Sequence, residues 1–187
     1  MARKKRYIEQ EVTDKAMHLF WRNGYGTTSM QMLEKEMGIN KFSIYSSFGS
    51  KDNLFIECIK SYKNKLSIIT NKLQQSNNGL DGIQEYFFDF LEFSMENKVP
   101  KGCLVTNAAN ELNANTNSKI SSQLSSFTDY IKTLFADNLK QENYTDNVMI
   151  QERADYLIVS MFGLASASKV FSKAQLSIYI KNIFKNI

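Results

Sequence analysis

The chain has 187 residues, 43% of them hydrophobic and 22% charged, enough apolar content for a folded core and too much for a disordered tail. Its formal net charge of +4 is uneven: residues 1–51 hold 9 Lys and Arg against 5 Asp and Glu, whereas residues 52–187 hold 14 of each. Two distant cysteines, Cys58 and Cys103, argue against a disulfide scaffold, and the sole histidine, His18, excludes a His-based triad or a multi-histidine metal site within one chain.

The ARKKR start is followed by further charge before any apolar leader segment forms. The longest near-apolar run, 156–167, has 12 residues, short of the roughly 18 needed to span a bilayer. A cytoplasmic protein with no membrane partner, metal or cofactor is expected. Next, Ile8, Val12, Ala16, Leu19 and Phe20 form a helical stripe that Gly24 is placed to end. A second helix follows the capping residues Thr27 and Thr28, with Met30, Leu33 and Met37 inward and Gly38 as its break. Asn40 can cap a third helix over 41–48, and Gly49 with Ser50 reads as a turn and the cap of a fourth. The fourth, 51–75, keeps Phe55, Ile59, Tyr62, Leu66, Ile69 and Leu73 on one stripe and would be a rod of roughly 38 Å.

The segment SNNGLDG, 76–82, punctuates the chain. After it come an aromatic helix over about 83–97 with Phe87, Phe88, Phe90 and Phe93, the only proline at Pro100, and a helix opening near Cys103. Further helices are predicted over 118–140, 148–169 and 172–186. The fold class is all-α, about nine helices, with an N-terminal three-helix helix-turn-helix head over 1–50, for which the face argued below predicts DNA binding. A long fourth helix joins it to a helical body over 51–187, for which the family resemblance given below implies ligand binding and dimerisation.

Three short helices with a Gly-containing turn before the third have the form of a helix-turn-helix, and the third has an unusual outer face. A major groove offers donors, acceptors and thymine methyls, which a cation, hydroxyls and a compact apolar group can read. Lys41, Phe42, Ser43, Tyr45 and Ser46 are the candidate base-contacting residues. Thr28, Ser29, Tyr45 and Lys51, with Arg3, Lys4, Lys5 and Arg6 of the arm, are the candidate phosphate contacts. The competing reading is a solubilising basic tail and a packed Tyr45, or a helical protein-interaction module with a basic head.

Residues 12–55 resemble the DNA-binding head of the TetR family of transcriptional regulators. The resemblance rests on Ala16, Leu19, Phe20, Gly24, Tyr25, Thr28, Ser29, Met30, Gly38, Ile39, Ile44, Tyr45, Phe48, Ser50, Lys51 and Leu54. Glu34 and Met37 stand where that family usually has alanine, and Phe42 where a small residue is common. The segment KGCLVTNAANEL, 101–112, looks like the start of the sixth helix in many members. The resemblance implies a homodimer that binds a palindromic double-stranded DNA operator, in most cases as a repressor, and is released by a small apolar or amphipathic inducer. Under that implication Phe87, Phe90, Cys103, Asn107, Glu111, Phe127, Tyr130, Tyr156 and Phe162 are candidate ligand contacts, although aromatic stripes also build plain cores. The penultimate helix has apolar residues on two sides, so Ile158, Met161 and Ala165, with Leu176, Ile180 and Ile183 of the last helix, are the candidate dimer interface. The alternative is that these residues close the core of one subunit.

Overall fold

The computed structural model describes residues 7–95, 101–113, 116–142, 146–185 and 187. Among them are nine helices and no strand: α1 (Glu9–Asn23), α2 (Met30–Met37), α3 (Lys41–Phe48), α4 (Lys51–Gln74), α5 (Gly79–Met95), α6 (Leu104–Ala109), α7 (Ser118–Leu139), α8 (Asn147–Ala167) and α9 (Lys173–Lys185). None is long and apolar enough to cross a membrane. Pro100 and the end of the aromatic helix predicted to reach 97 lie outside the described residues.

Local side-chain caps start the elements of the head. Asn40 Oδ1 accepts from the Ser43 amide, and Ser50 Oγ accepts from the Asn53 amide, each satisfying a donor that an open helix end would leave unpaired. The α2 start differs from expectation. Ser29 is its cap, with Oγ accepting from Met32 N–H, while Thr28 is buried and donates its hydroxyl to the Gly24 carbonyl at 2.6 Å. Gly38 ends α2 at φ 70°, in the left-handed region that favours glycine.

α5 begins four residues earlier than the sequence suggests, because its first amides are capped from far away. Gln141 Oε1 accepts from Gly79 N–H at 2.9 Å, and Glu142 Oε1 accepts from Leu80 N–H at 2.8 Å. No local motif at 76–82 announces such partners.

α4 packs against α1 in the head and against α5 and α7 in the body, so its length of about 36 Å serves both. The apolar core is continuous along it, from Val12 and Phe20 through Phe55 and Tyr62 to Phe87, Leu157 and Ile180. Trp21 is the hinge pin of that continuity. Its ring lies 5.0 Å from Tyr62 of α4 and 5.5 Å from Phe93 of α5, and its indole N–H donates to the Gly102 carbonyl at 3.1 Å. Trp21→Ala should therefore destabilise the chain by about 3–5 kcal/mol, the usual loss for a buried large aromatic. Urea unfolding followed by circular dichroism and by amide exchange in head and body separately should give one shared transition, shifted to lower urea in the variant.

Candidate nucleic-acid interface and ligand cavity

α3 puts Ile44 and Phe48 into the core and leaves Lys41, Phe42, Tyr45 and Ser46 exposed on the opposite side. These four positions lie at i, i+1, i+4 and i+5, which is one helical face. Lys41 Nζ stands 5.8 Å from the Tyr45 ring centroid, and Phe42 is 81% exposed. Ser43 is half-buried on the flank, where its carbonyl accepts from the Tyr7 hydroxyl at 3.4 Å; the same hydroxyl lies 2.7 Å from Ser47 Oγ. Tyr7 thus ties the root of the basic arm to the side of α3, a role that sequence reasoning missed because no helical period includes it. The arm residues Arg3, Lys4, Lys5 and Arg6 lie outside the described residues.

The candidate phosphate contacts divide. Ser29 and Tyr45 are exposed, but Thr28 is fully buried with its hydroxyl already donated, so it is removed from the set. Lys51 donates from Nζ to the Tyr25 carbonyl at 2.7 Å and lies 4.4 Å from the Tyr25 ring centroid. Its partial burial pulls the ammonium pKa down, against the opposing pull of Asp52 and Glu111. One of its three donors is committed within the head. Glu34 accepts from the Lys41 backbone amide and so caps α3 from α2.

Glu111 is not a cavity residue. Its carboxylate accepts from Tyr25 N–H at 3.1 Å and Gly26 N–H at 2.6 Å, clasping the turn between α1 and α2. Beside it, Asp52 accepts from the Tyr25 hydroxyl and from Asn117 Nδ2, the latter at 2.7 Å. Those two hydrogen bonds, Tyr25 first, hold the Asp52 carboxyl below its ordinary pKa, and burial beside the carboxylate pushes the Tyr25 phenol up. Asn107 is likewise structural: its Nδ2 donates to the Lys101 carbonyl at 2.9 Å and the Trp21 carbonyl at 3.4 Å. Both residues belong to the junction of head and body, because the α6 segment runs from the cavity wall to the head rather than along the cavity.

An apolar cavity lies between α4, α5, α6, α7 and α8. Phe90, Cys103, Phe127 and Phe162 line it, with Leu66, Tyr86, Val105, Thr106, Thr128, Ile131, Ile158, Met161 and Ala165. No Lys, Arg, His, Asp or Glu is among them. The cavity is small, its ≈ 20 Å³ giving room for about one water centre. The buried Tyr62 hydroxyl donates to Cys103 Sγ at 3.2 Å, and burial raises the phenol pKa well above its ordinary value. The other candidates stand elsewhere. Phe87 is core, 5.8 Å from the Phe135 ring and 5.2 Å from the Phe184 ring. Tyr130 sits exposed in a surface groove with Lys63 and Asn64, and Tyr156 is exposed beside Glu152 and Arg153.

The expected dimer residues are corrected as a group. Ile158, Met161, Ala165, Leu176, Ile180 and Ile183 are all buried within the single chain, Ala165 to 2% exposure. A helical stripe states which residues share a face but not which of two apolar faces turns inward. The outward apolar face carries Val148, Tyr156 and Val159 on α8, with the exposed Gly163 continuing it, and Ile178 on α9.

Comparison with known proteins agrees with the head and the fold. Residues 12–58 match the family described as bacterial regulatory proteins, tetR family. Over 112 residues the chain is 29% identical to the uncharacterized HTH-type transcriptional regulator YezE of Bacillus subtilis; the match spans 59% of this chain and 58% of that protein. Over 175 residues it is 24% identical to IcaR of Staphylococcus aureus, the HTH-type negative transcriptional regulator of the biofilm operon icaADBC, covering 87% of this chain and 91% of the relative. A cysteine mutant of the TetR family transcriptional regulator CifR, complexed with 26-bp double-strand operator DNA, superposes with a TM-score of 0.89 at 22% identity, covering 98% of each chain.

Replacing Glu111 by alanine would leave two turn amides without their carboxylate, a loss of about 1–3 kcal/mol for charge-assisted hydrogen bonds. Hydrogen exchange should show faster exchange at Tyr25 and Gly26 specifically, with the Ser43 and Asn53 amides, capped from within the head, unchanged.

Proposed function

We propose that this chain, whose head belongs to the tetR family of bacterial regulatory proteins, is a ligand-responsive transcriptional repressor that binds a palindromic DNA operator as a homodimer in the cytoplasm. The observation that carries the reading is the outer face of α3. A short, doubly capped helix exposes Lys41, Phe42, Tyr45 and Ser46 while anchoring itself through Ile44 and Phe48. That is a rigid presentation of mixed chemistry at the depth of a major groove. Residues 1–50 serve as the reading head, with Ser29, Tyr45 and the Arg3–Arg6 arm on phosphates together with Lys51 at the start of the body, and residues 51–187 serve as the ligand and dimer body.

Two copies must present their α3 helices about 34 Å apart, or a multiple of it, to enter grooves on one side of the duplex. The outward face of α8 and α9 is the surface that supports such pairing, since apolar side chains there have no partner in the chain's own core. The inducer is small and uncharged. An ionised group placed among Phe90, Phe127, Ile131 and Met161 would meet no charged side chain among the described residues that line the cavity, and burying it unpaired costs several kcal/mol.

The reading is tested by duplex-binding selection with the full chain, followed by titration at increasing salt. A steep, sequence-modulated fall of affinity supports it, with the log-log slope set by the number of phosphates neutralised; sequence-indifferent binding would favour a basic interaction module instead. For the dimer, Val159→Glu changes a side chain that is 70% exposed. The variant should fold normally, sediment as a monomer and lose most operator affinity. Ala165→Glu, by contrast, places a carboxylate inside the subunit core and should fail to fold rather than dissociate.

A further inference from the structure

Phe42 is the second residue of α3 and the most exposed large apolar side chain described, at 81%. It takes no part in the head's apolar cluster, which α3 joins through Ile44 and Phe48. Its neighbours on the same face are polar or polar-tipped: Lys41, with its ammonium near the Tyr45 ring, and Ser46 one turn along. Tyr7 occupies the flank at Ser43 and Ser47, which leaves Phe42 clear toward solvent. Folding alone gives no reason for a bare phenyl ring at the leading end of this helix.

Residues at the start of a recognition helix reach base edges. A phenyl ring can neither donate to nor accept from the polar atoms displayed there. The one apolar group on the major-groove edge of a standard base pair is the thymine 5-methyl. We infer that Phe42 is a specificity residue that reads the 5-methyl of a thymine in each operator half-site. The inference rests on the DNA-binding reading above and adds to it the chemical feature of the operator that this chain selects. Lys41 and Ser46, with donors on either side of the ring, suit the polar edges of the adjacent pairs.

The test uses the full chain and the duplex it selects from a random pool. Each thymine of the half-site is replaced in turn by deoxyuridine, which removes the methyl and leaves every hydrogen-bonding atom in place. One position should respond, with about a 4-fold loss of affinity per half-site, the value of one buried carbon. Phe42→Ala should bind the thymine and uracil duplexes equally, Phe42→Leu should retain part of the discrimination, and both should keep the parent unfolding midpoint because the side chain is exposed. The inference is overturned if no thymine is sensitive to methyl removal, or if Phe42→Ala discriminates as well as the parent. Absence of any sequence-modulated duplex binding is a separate outcome: it would remove the DNA-binding reading itself, and this assignment with it.

Discussion

One carboxylate fixes the relation between the two halves of the molecule. Glu111 holds two consecutive amides of the turn that carries α1 into α2, and glycines at 24 and 26 leave room for it there. Gly24 sits at φ 89°, and a Cβ there would collide with Glu111 Oε1; at Gly26 a Cβ would stand 3.1 Å from Oε2. The family-like glycine and tyrosine at 24 and 25 therefore do more than end a helix. They open the backbone to a ligand supplied by the chain's own body, much as a helix end or nest accepts an anion. Lys51, with its carbonyl bond to Tyr25, and Asp52, between Tyr25 and Asn117, complete a polar junction in which the donors and acceptors of four segments are matched.

That junction is in mechanical series with the cavity. α6 is only six residues long; its segment contributes Cys103, Val105 and Thr106 to the cavity wall and, two residues past its end, supplies Glu111 to the head. With room for about one water centre, the cavity can accept a larger molecule only by moving the side chains or helices around it. Cores repack in discrete steps rather than deforming smoothly, so an occupant that shifts α6 is felt at the turn amides. The magnitude is bounded: a ligand changes DNA affinity by no more than its differential affinity for the two arrangements, commonly 1–3 kcal/mol.

The legible part of this structure was the part governed by local chemistry. Asn40, Ser50 and the glycines at 24, 38 and 49 marked element ends because a cap or a positive φ is decided within a few residues. The exposed face of α3 was legible for the same reason, as the complement of Ile44 and Phe48. What escaped was decided at a distance. Gln141 and Glu142 extend α5 from 62 residues away, and Glu111 reaches its turn across 86 and 85. Polarity placed Glu111 and Asn107 beside a pocket because polar residues near aromatics are what a pocket needs; the same groups serve equally to tie a junction. For α8 the period was right and the sense was ambiguous, since apolar side chains ran on both sides and only packing against α7 and α9 chose the inner one.

The continuity of the core limits how a response could travel. α1 is bound to α4 through Phe20 and Phe55, at 4.9 Å between rings, and to α5 and the Gly102 carbonyl through Trp21. A head that swung alone would have to open these buried contacts, each aromatic pair worth about 0.5–1.5 kcal/mol beyond its area, and expose the surrounding apolar surface. Head, α4 and the start of α6 are thus better treated as one body. The cavity marks a seam where α4, α5 and α6 face α7 and α8. The Tyr62–Cys103 hydrogen bond joins α4 to the start of α6 and so lies within the first body, whereas Asn138 of α7 donates to the Leu73 carbonyl of α4 across the seam at 3.2 Å. A displacement at the cavity therefore either keeps the Leu73–Asn138 bond or leaves a buried amide donor unpaired, a cost of about 1–3 kcal/mol.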